Sequence, residues 1–167
     1  MASNQRAIRR SARPPSAVRN LLVAVADSQV TASWTAPLSN GGSAISGYRV
    51  AYSTDNGTTF SADTVVNGTT AVITGLTNGS AVVVRVIPVN AAGNGASTSS
   101  AAATPRTVAA AASAVVATAG NGQVSLSWVA PTDNGGSAVT GYYVERAVGA
   151  GGLWTRIATV TTMSHVA

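Results

Sequence analysis

No cysteine and no lysine occur in the 167 residues. The first absence rules out disulfides and thiolate metal sites, and the second leaves all ten cationic charges to arginine. Charge itself is scarce. Charged residues make up 9% of the chain, against about 25% in an average soluble domain, so the surface must be mostly Ser, Thr, Asn, Gly and Ala. Such a surface suits crowded assemblies or the outside of cells, and a biased genome accounts for it equally well. Aromatics are few, with one Phe, three Trp and four Tyr, and alanine inflates the 46% hydrophobic content. Cores built from this composition are small and aliphatic. No stretch reaches the roughly 18 apolar residues of a membrane span, and the first residues hold no apolar segment of about 7 to 15 residues such as a secretory signal requires. With Met1 as the native start, the product is expected to be released into the cytoplasm where it is made.

Groups that carry chemistry are equally sparse. The single histidine, His165, reads as a passive surface group. Asp27, Asp55, Asp63 and Asp133 are scattered without the spacing of a paired acid and base or of a calcium loop. Asp133-Asn134-Gly135-Gly136 reads as a turn in preference to a cation site. Neither a Gly-rich phosphate loop nor a serine elbow is present. The expectation is a protein that is not an enzyme and uses no cofactor and no metal.

What charge exists is unevenly placed. Arg6, Arg9, Arg10, Arg13 and Arg19 fall within the first nineteen residues with no acid among them, whereas the other five arginines are matched by five acids. The net charge of +5 therefore belongs to an N-terminal arm. Guanidinium forks pair bidentately with phosphate or carboxylate. Interleaved aromatics, which stacking on single strands requires, are missing, so docking of Arg6, Ile8, Arg9, Arg10 and Arg13 on an acidic protein partner is preferred to nucleic acid contact. A solvated tail is the default for such a terminus. Pro14 and Pro15 favour an extended backbone and end the arm.

Beyond the arm the chain repeats itself. Ser33 to Ser53 reads SWTAPLSNGGSAISGYRVAYS and Ser127 to Ala147 reads SWVAPTDNGGSAVTGYYVERA, with Trp34 and Trp128 separated by 94 positions (128 − 34). That period is one small domain, longer than a solenoid unit of roughly 20 to 50 residues. Asn-Gly pairs, which favour the positive φ of tight hairpins, recur at Asn40-Gly41, Asn56-Gly57, Asn67-Gly68, Asn78-Gly79 and Asn94-Gly95. Between them apolar residues alternate, as in Val30, Ala32 and Trp34, in Tyr48, Val50 and Tyr52, and in Val82, Val84 and Val86. Period-two alternation between regular turns predicts antiparallel sandwiches with one face buried, and no window carries an amphipathic helix.

These segments together resemble fibronectin type III domains of the kind common in bacterial and bacteriophage proteins. The resemblance rests on Leu21-Leu22, on Ser33-Trp34-x-Ala36-Pro37, on Gly47-Tyr48-x-Val50, on Gly75-Leu76-Thr77-Asn78-Gly79 and on Val89-Asn90-Ala91-Ala92-Gly93. It implies an all-β fold: tandem antiparallel β-sandwiches behind an extended basic arm. The division is an arm over 1–16, a complete domain over 17–105, a linker over 106–112 and a second domain over 113–167. The core markers it implies are Trp34, Tyr48, Val50, Leu76, Val82, Trp128, Tyr142 and Val144. Val82 stands where the family usually has the tyrosine that bonds across a corner, so packing must hold that corner. Pro88 cannot donate to a ladder and is expected on an edge or at a bulge. Trp154 is read as packing inward, with an exposed stacking role as its alternative.

In the second copy the counterparts of strands F and G are missing, which leaves core side chains and a strand edge uncovered. A longer native chain, a strand from another subunit and an unstable end each answer this. The resemblance implies a structural or accessory protein of a bacteriophage virion, on capsid or tail and in many copies. Its arm would contact other virion proteins, and its modules would touch a host cell-surface glycan or protein, with no membrane partner. The alternative is an extracellular spacer or carbohydrate-associated module of a bacterial secreted enzyme.

Overall fold

A computed structural model describes residues 11–149 and 151–167. Arg6, Ile8, Arg9 and Arg10 lie outside the described residues. The chain divides into two compact units, Met1–Arg106 and Thr107–Ala167, and among the described residues every regular element is a strand.

In the first unit, β1 (Arg19–Ala26), β2 (Gln29–Thr35) and β5 (Thr70–Thr74) form one antiparallel sheet in the order β1-β2-β5. The second sheet runs β4 (Thr64–Val66), β3 (Ile45–Ser53), β6 (Val83–Asn90), β7 (Gly93–Asn94), and β8 (Thr98–Ser99) also pairs with β6. The alternation in the sequence sets the layers, because successive side chains leave a strand on opposite faces. Val30 and Ala32 of β2 are fully buried, as are Val84 and Val86 of β6, while Thr31, Ser33 and Arg85 are only partly covered. Together with Val18, Trp34, Tyr48, Val50, Leu76 and Val82 they make one core. Trp34 and Tyr48 meet edge to face, with ring centroids 5.3 Å apart at 65°, a geometry that aromatic quadrupoles favour. Val82 is 1% exposed and exchanges two backbone hydrogen bonds with Ala103, so packing and a bridge hold the corner.

Pro88 sits at a bulge, one of the two places that the sequence suggested: between Val86↔Thr98 and Val89↔Asn94, Ile87 and Pro88 face the three residues Gly95, Ala96 and Ser97. It lies inside β6, opposite Tyr48, with strands on both sides, and its ring is buried. Its carbonyl accepts from Gly95 N–H at 2.7 Å. On that side the neighbouring strand is interrupted between β7 and β8. The amide that proline lacks is therefore missing at a bulge in the ladder, where proline is tolerated.

In the second unit, β9 (Ser113–Ala119), β10 (Val124–Val129) and β13 (Ser164–Val166) form a sheet in the order β13-β10-β9, and β11 (Tyr142–Arg146) pairs with β12 (Thr155–Val160). The pairing repeats that of the first unit shifted by 94. Ser125↔Val166 corresponds to Thr31↔Val72, and Tyr142↔Val160 corresponds to Tyr48↔Val66. Trp128 and Tyr142 repeat the aromatic contact at 5.4 Å and 67°. Among the described residues nothing corresponds to β6, β7 or β8.

Candidate interaction surfaces

Backbone bonds strap the segment that enters each unit onto the Gly-Gly turn after its tryptophan strand. In the first unit Arg13 N–H donates to Gly41 O at 2.8 Å and Ser16 N–H to Ser39 O at 2.9 Å. In the second, Thr107 N–H donates to Gly135 O at 2.8 Å and Ala110 N–H to Asp133 O at 2.9 Å, the same positions shifted by 94. Gly41 and Gly135 adopt φ of 70° and 69°, a region that side chains disfavour. A Cβ at either position would also overlap the carbonyl oxygen of the strapped segment, Arg13 or Thr107. Asn90, 4% exposed, completes the first strap: its Nδ2 donates to Arg13 O and to Asn40 O, both at 2.7 Å. Thus Arg13, the one arm residue proposed for anchoring that is described, has its backbone fixed to the first unit and its side chain exposed. Arg106 N–H, in the stretch read as a linker, donates to Ala26 O of the first unit.

On the outer face of the first unit, Asp63 receives Arg49 at 2.8 Å and Arg85 at 3.3 Å. The Arg85 guanidinium also lies 4.1 Å from the Phe60 ring centroid, a stacked geometry suited to its planar cation. These four sequence-scattered groups lie on the β3–β6 face that the core does not use.

The second unit has an open apolar groove. It measures about 340 Å³, and its walls include Val115, Leu126, Trp128, Tyr142, Val144 and Trp154. Trp128 and Val144 are buried at its base and Tyr142 is half-buried. Trp154, expected to pack inward, is instead 70% exposed; it precedes β12 and stands at the groove, where no strand among the described residues covers it. Tyr143, on the opposite side of β11 from Tyr142, carries the Arg156 guanidinium 3.4 Å from its ring centroid. All eight core markers named from sequence are placed: seven are buried, and Tyr142 is half-buried.

Among the described residues, no three His, Cys, Asp or Glu side chains are grouped so as to hold a metal. His165 sits opposite Leu126 in the β10–β13 ladder and is half-buried, at the position that Ala71 takes against the first core. Asp55 is held by its own loop: Ser53 Oγ donates at 2.6 Å, Thr59 Oγ1 at 2.6 Å and Thr59 N–H at 2.8 Å. Those donors, the Ser53 hydroxyl foremost, bring its pKa down to about 2. Asp133 Oδ1 accepts from Gly135 N–H at 2.8 Å, as a turn-forming aspartate does.

Comparison with known proteins follows the same division. The sequence profile of the fibronectin type III domain matches residues 15–105. A Kelch domain-containing protein of Saccharolobus solfataricus is 35% identical over 99 residues, which are 59% of this chain and 14% of that protein. A crystal structure of domains from titin is similar at 25% identity and a TM-score of 0.53, over 56% of this chain and 32% of that one. The twitchin kinase region from C. elegans is similar at 25% identity and a TM-score of 0.52, over 55% of this chain and 17% of that one. A human FNIII domain solved in solution is 17% identical with a TM-score of 0.53, over 66% of this chain and 96% of that one, a likeness of fold. The chain thus spans a small part of the curated relative and under a third of the titin and twitchin structures.

Proposed function

The chain belongs to the fibronectin type III family, and from that premise we propose that it is a non-enzymatic accessory protein of a bacteriophage virion, displaying its modules from capsid or tail. Domains of this family generally serve as binding or spacer modules. The observation that carries the proposal is the arm together with its strap. Five arginines without an acid precede or enter β1, and the backbone at Arg13 is bonded to Gly41 and Asn90 of the folded unit. From Arg13 onward the chain is therefore bonded to the folded unit, which is where an anchoring contact of the arm would meet the sandwich.

The arm's partner is an acidic surface of another virion protein, because clustered guanidinium groups gain most from carboxylates they can fork onto. Ordering the arm costs roughly 1 to 2 kcal/mol of backbone entropy per residue, which the arginine contacts and Ile8 must offset. With many copies on one particle, weak contacts of the outer faces with a host glycan or protein add by avidity. The match to a short part of a Kelch domain-containing protein favours a second reading, a spacer module within a larger protein.

Comparing the full chain with a deletion of residues 1–12 separates the two. That deletion leaves Arg13 and its strap in place, so the first unit keeps its fold and thermal transition, and the virion reading expects loss of incorporation into particles from the native source. Normal incorporation of the deletion variant would refute anchoring by the arm, and absence of the full chain from the particles would refute the virion reading and leave the spacer.

A further inference from the structure

Seven Asn-Gly pairs occur in the chain, beginning at Asn40, Asn56, Asn67, Asn78, Asn94, Asn121 and Asn134. Each carries a latent reaction, because the backbone nitrogen of a glycine, with no Cβ beside it, can attack the Cγ of the preceding asparagine and close a ring. The attack needs a glycine N–H free of other acceptors, a side-chain amide free to turn onto it, and room for the ring. Five pairs are blocked. Gly41 N–H donates to Ser39 Oγ at 3.2 Å while Asn40 Oδ1 accepts from Gly42 N–H at 2.9 Å, and Gly57 N–H donates to Ser53 Oγ at 2.8 Å. Gly79 N–H donates to Pro105 O at 2.9 Å, and the Asn78 amide is held at both atoms, by Ser28 N–H and by Asp27. Gly95 N–H donates to Pro88 O at 2.7 Å. Gly135 N–H donates to Asp133 Oδ1 at 2.8 Å while Asn134 Oδ1 accepts from Gly136 N–H at 3.0 Å. Gly68 and Gly122 differ: neither their N–H groups nor the amides of Asn67 and Asn121 have a hydrogen-bond partner among the described residues. All four residues are exposed, and a Cβ placed on either glycine would meet nothing within 4 Å.

We propose that Asn67 and Asn121 are sites of spontaneous deamidation, with water as the only co-reactant, and that the fold protects the other five asparagines. The nitrogen of Gly68 or Gly122 gives its proton to solvent base and bonds to the asparagine Cγ. The adduct expels the side-chain nitrogen, which takes up a proton and leaves as ammonia, and a succinimide remains. Water then adds to one ring carbonyl and the C–N bond there breaks, its electron pair and a proton returning to the glycine nitrogen. Opening at Cγ yields aspartate; opening at the backbone carbonyl yields isoaspartate, with the main chain now running through Cβ. Nothing is oxidised or reduced. Each event sets a carboxylate in a chain that holds only five acids, and the isoaspartate product lengthens the main chain by a methylene. At Asn67 the added length falls in the crossing between the sheets of the first unit, between Val66, opposite Tyr48, and Thr70, opposite Ser33. At Asn121 it falls in the β9–β10 turn, which Gly120 N–H closes on Gln123 O at 2.8 Å. This proposal is independent of the virion reading.

The test keeps the full 167-residue protein at mildly alkaline pH, below its thermal transitions, and follows each Asn-Gly pair by peptide mass spectrometry, with enzymatic methyl transfer marking isoaspartate. Conversion at Asn67 and Asn121 is expected to be at least about tenfold faster than at the other five, since a blocked site must first lose one or two hydrogen bonds. In urea, where those bonds are gone, all seven should convert at similar rates. Ser53→Ala removes the acceptor of Gly57 N–H and should bring Asn56 into the fast group, with the thermal transition of the first unit reporting on its fold. Should that variant not fold, the comparison of native and urea rates decides alone. Similar rates at all seven pairs of the folded protein would overturn the proposal. So would conversion at any bonded pair ahead of Asn67 and Asn121, or intact Asn67 and Asn121 once the urea sample has converted.

Discussion

Asp55 follows β3 in an exposed loop, yet three donors from Ser53 and Thr59 converge on its carboxylate. The Ser53 hydroxyl is the largest influence and the Thr59 hydroxyl comes next, and together they bring the pKa from the ordinary 3.8 to about 2. Hydrogen bonds to the charged form favour ionisation. Since the folded value lies below the unfolded one, whatever the loop gains from this carboxylate is present above pH 3.8 and is lost as the pH falls through about 2. The expected carboxyl titration of Asp55, followed by NMR, has its midpoint near that lower value, with the loop of residues 53–59 unchanged at neutral pH. Ser53→Ala should raise the midpoint toward the ordinary carboxylate range; a midpoint that stayed put would show that Ser53 is not the controlling donor. Ser53 is itself 2% exposed, and its Oγ also accepts from Gly57 N–H at 2.8 Å, which fixes the hydroxyl in place to donate.

The strap between the entering segment and the Gly-Gly turn is a contact between elements, and paired glycines isolate it. Gly41 and Gly42 both have positive φ, 70° and 83°, so alanine at either costs about 1 to 2 kcal/mol of backbone strain. Only at Gly41 does the added Cβ meet the Arg13 carbonyl, whereas at Gly42 nothing lies within 4 Å. Gly41→Ala should therefore destabilise the first unit by about 1 kcal/mol more than Gly42→Ala, and speed amide exchange at Arg13 and Ser16; equal effects would refute the strap. The strands were legible in the sequence because burial alternates as the apolar residues do, from Val30 to Trp34 and from Val84 to Val86. Backbone-to-backbone bonds across 28 residues leave no such pattern. Pro14 and Pro15 marked the end of the arm, but the second strap forms at Thr107 without prolines, so it was the recurrence of the turn, and not any local motif, that held the signal. The missing amide of Pro88 was enough to place it at a bulge, whereas Trp154 was misplaced because its cover depends on a neighbouring strand, and a neighbour's extent is a tertiary fact. The arm's register on the body and the groove belong to the same class.

At the scale of the molecule the two units carry very unequal cores. The first buries Val30, Ala32, Val84 and Val86 completely, while among its described residues the second buries only Trp128 and Val144 of its apolar side chains, and β9 is exposed along its whole length. A unit of about 60 residues is marginal even when its core is closed, so the second should unfold well before the first. Calorimetry is expected to show two transitions. Trp34→Ala removes a buried indole and should cost the upper one about 3 to 5 kcal/mol. Trp128→Ala should act on the lower transition alone, and by less, because one side of that indole already faces the groove and the contacts it would lose are fewer. Removing residues 107–167 should then abolish the lower transition and leave the upper one at its temperature, since the first core is built entirely from residues 18–86. A single transition that moved with both tryptophan substitutions would mean that the units fold as one body, and the stability of the open sandwich would then have to be borrowed from its neighbour.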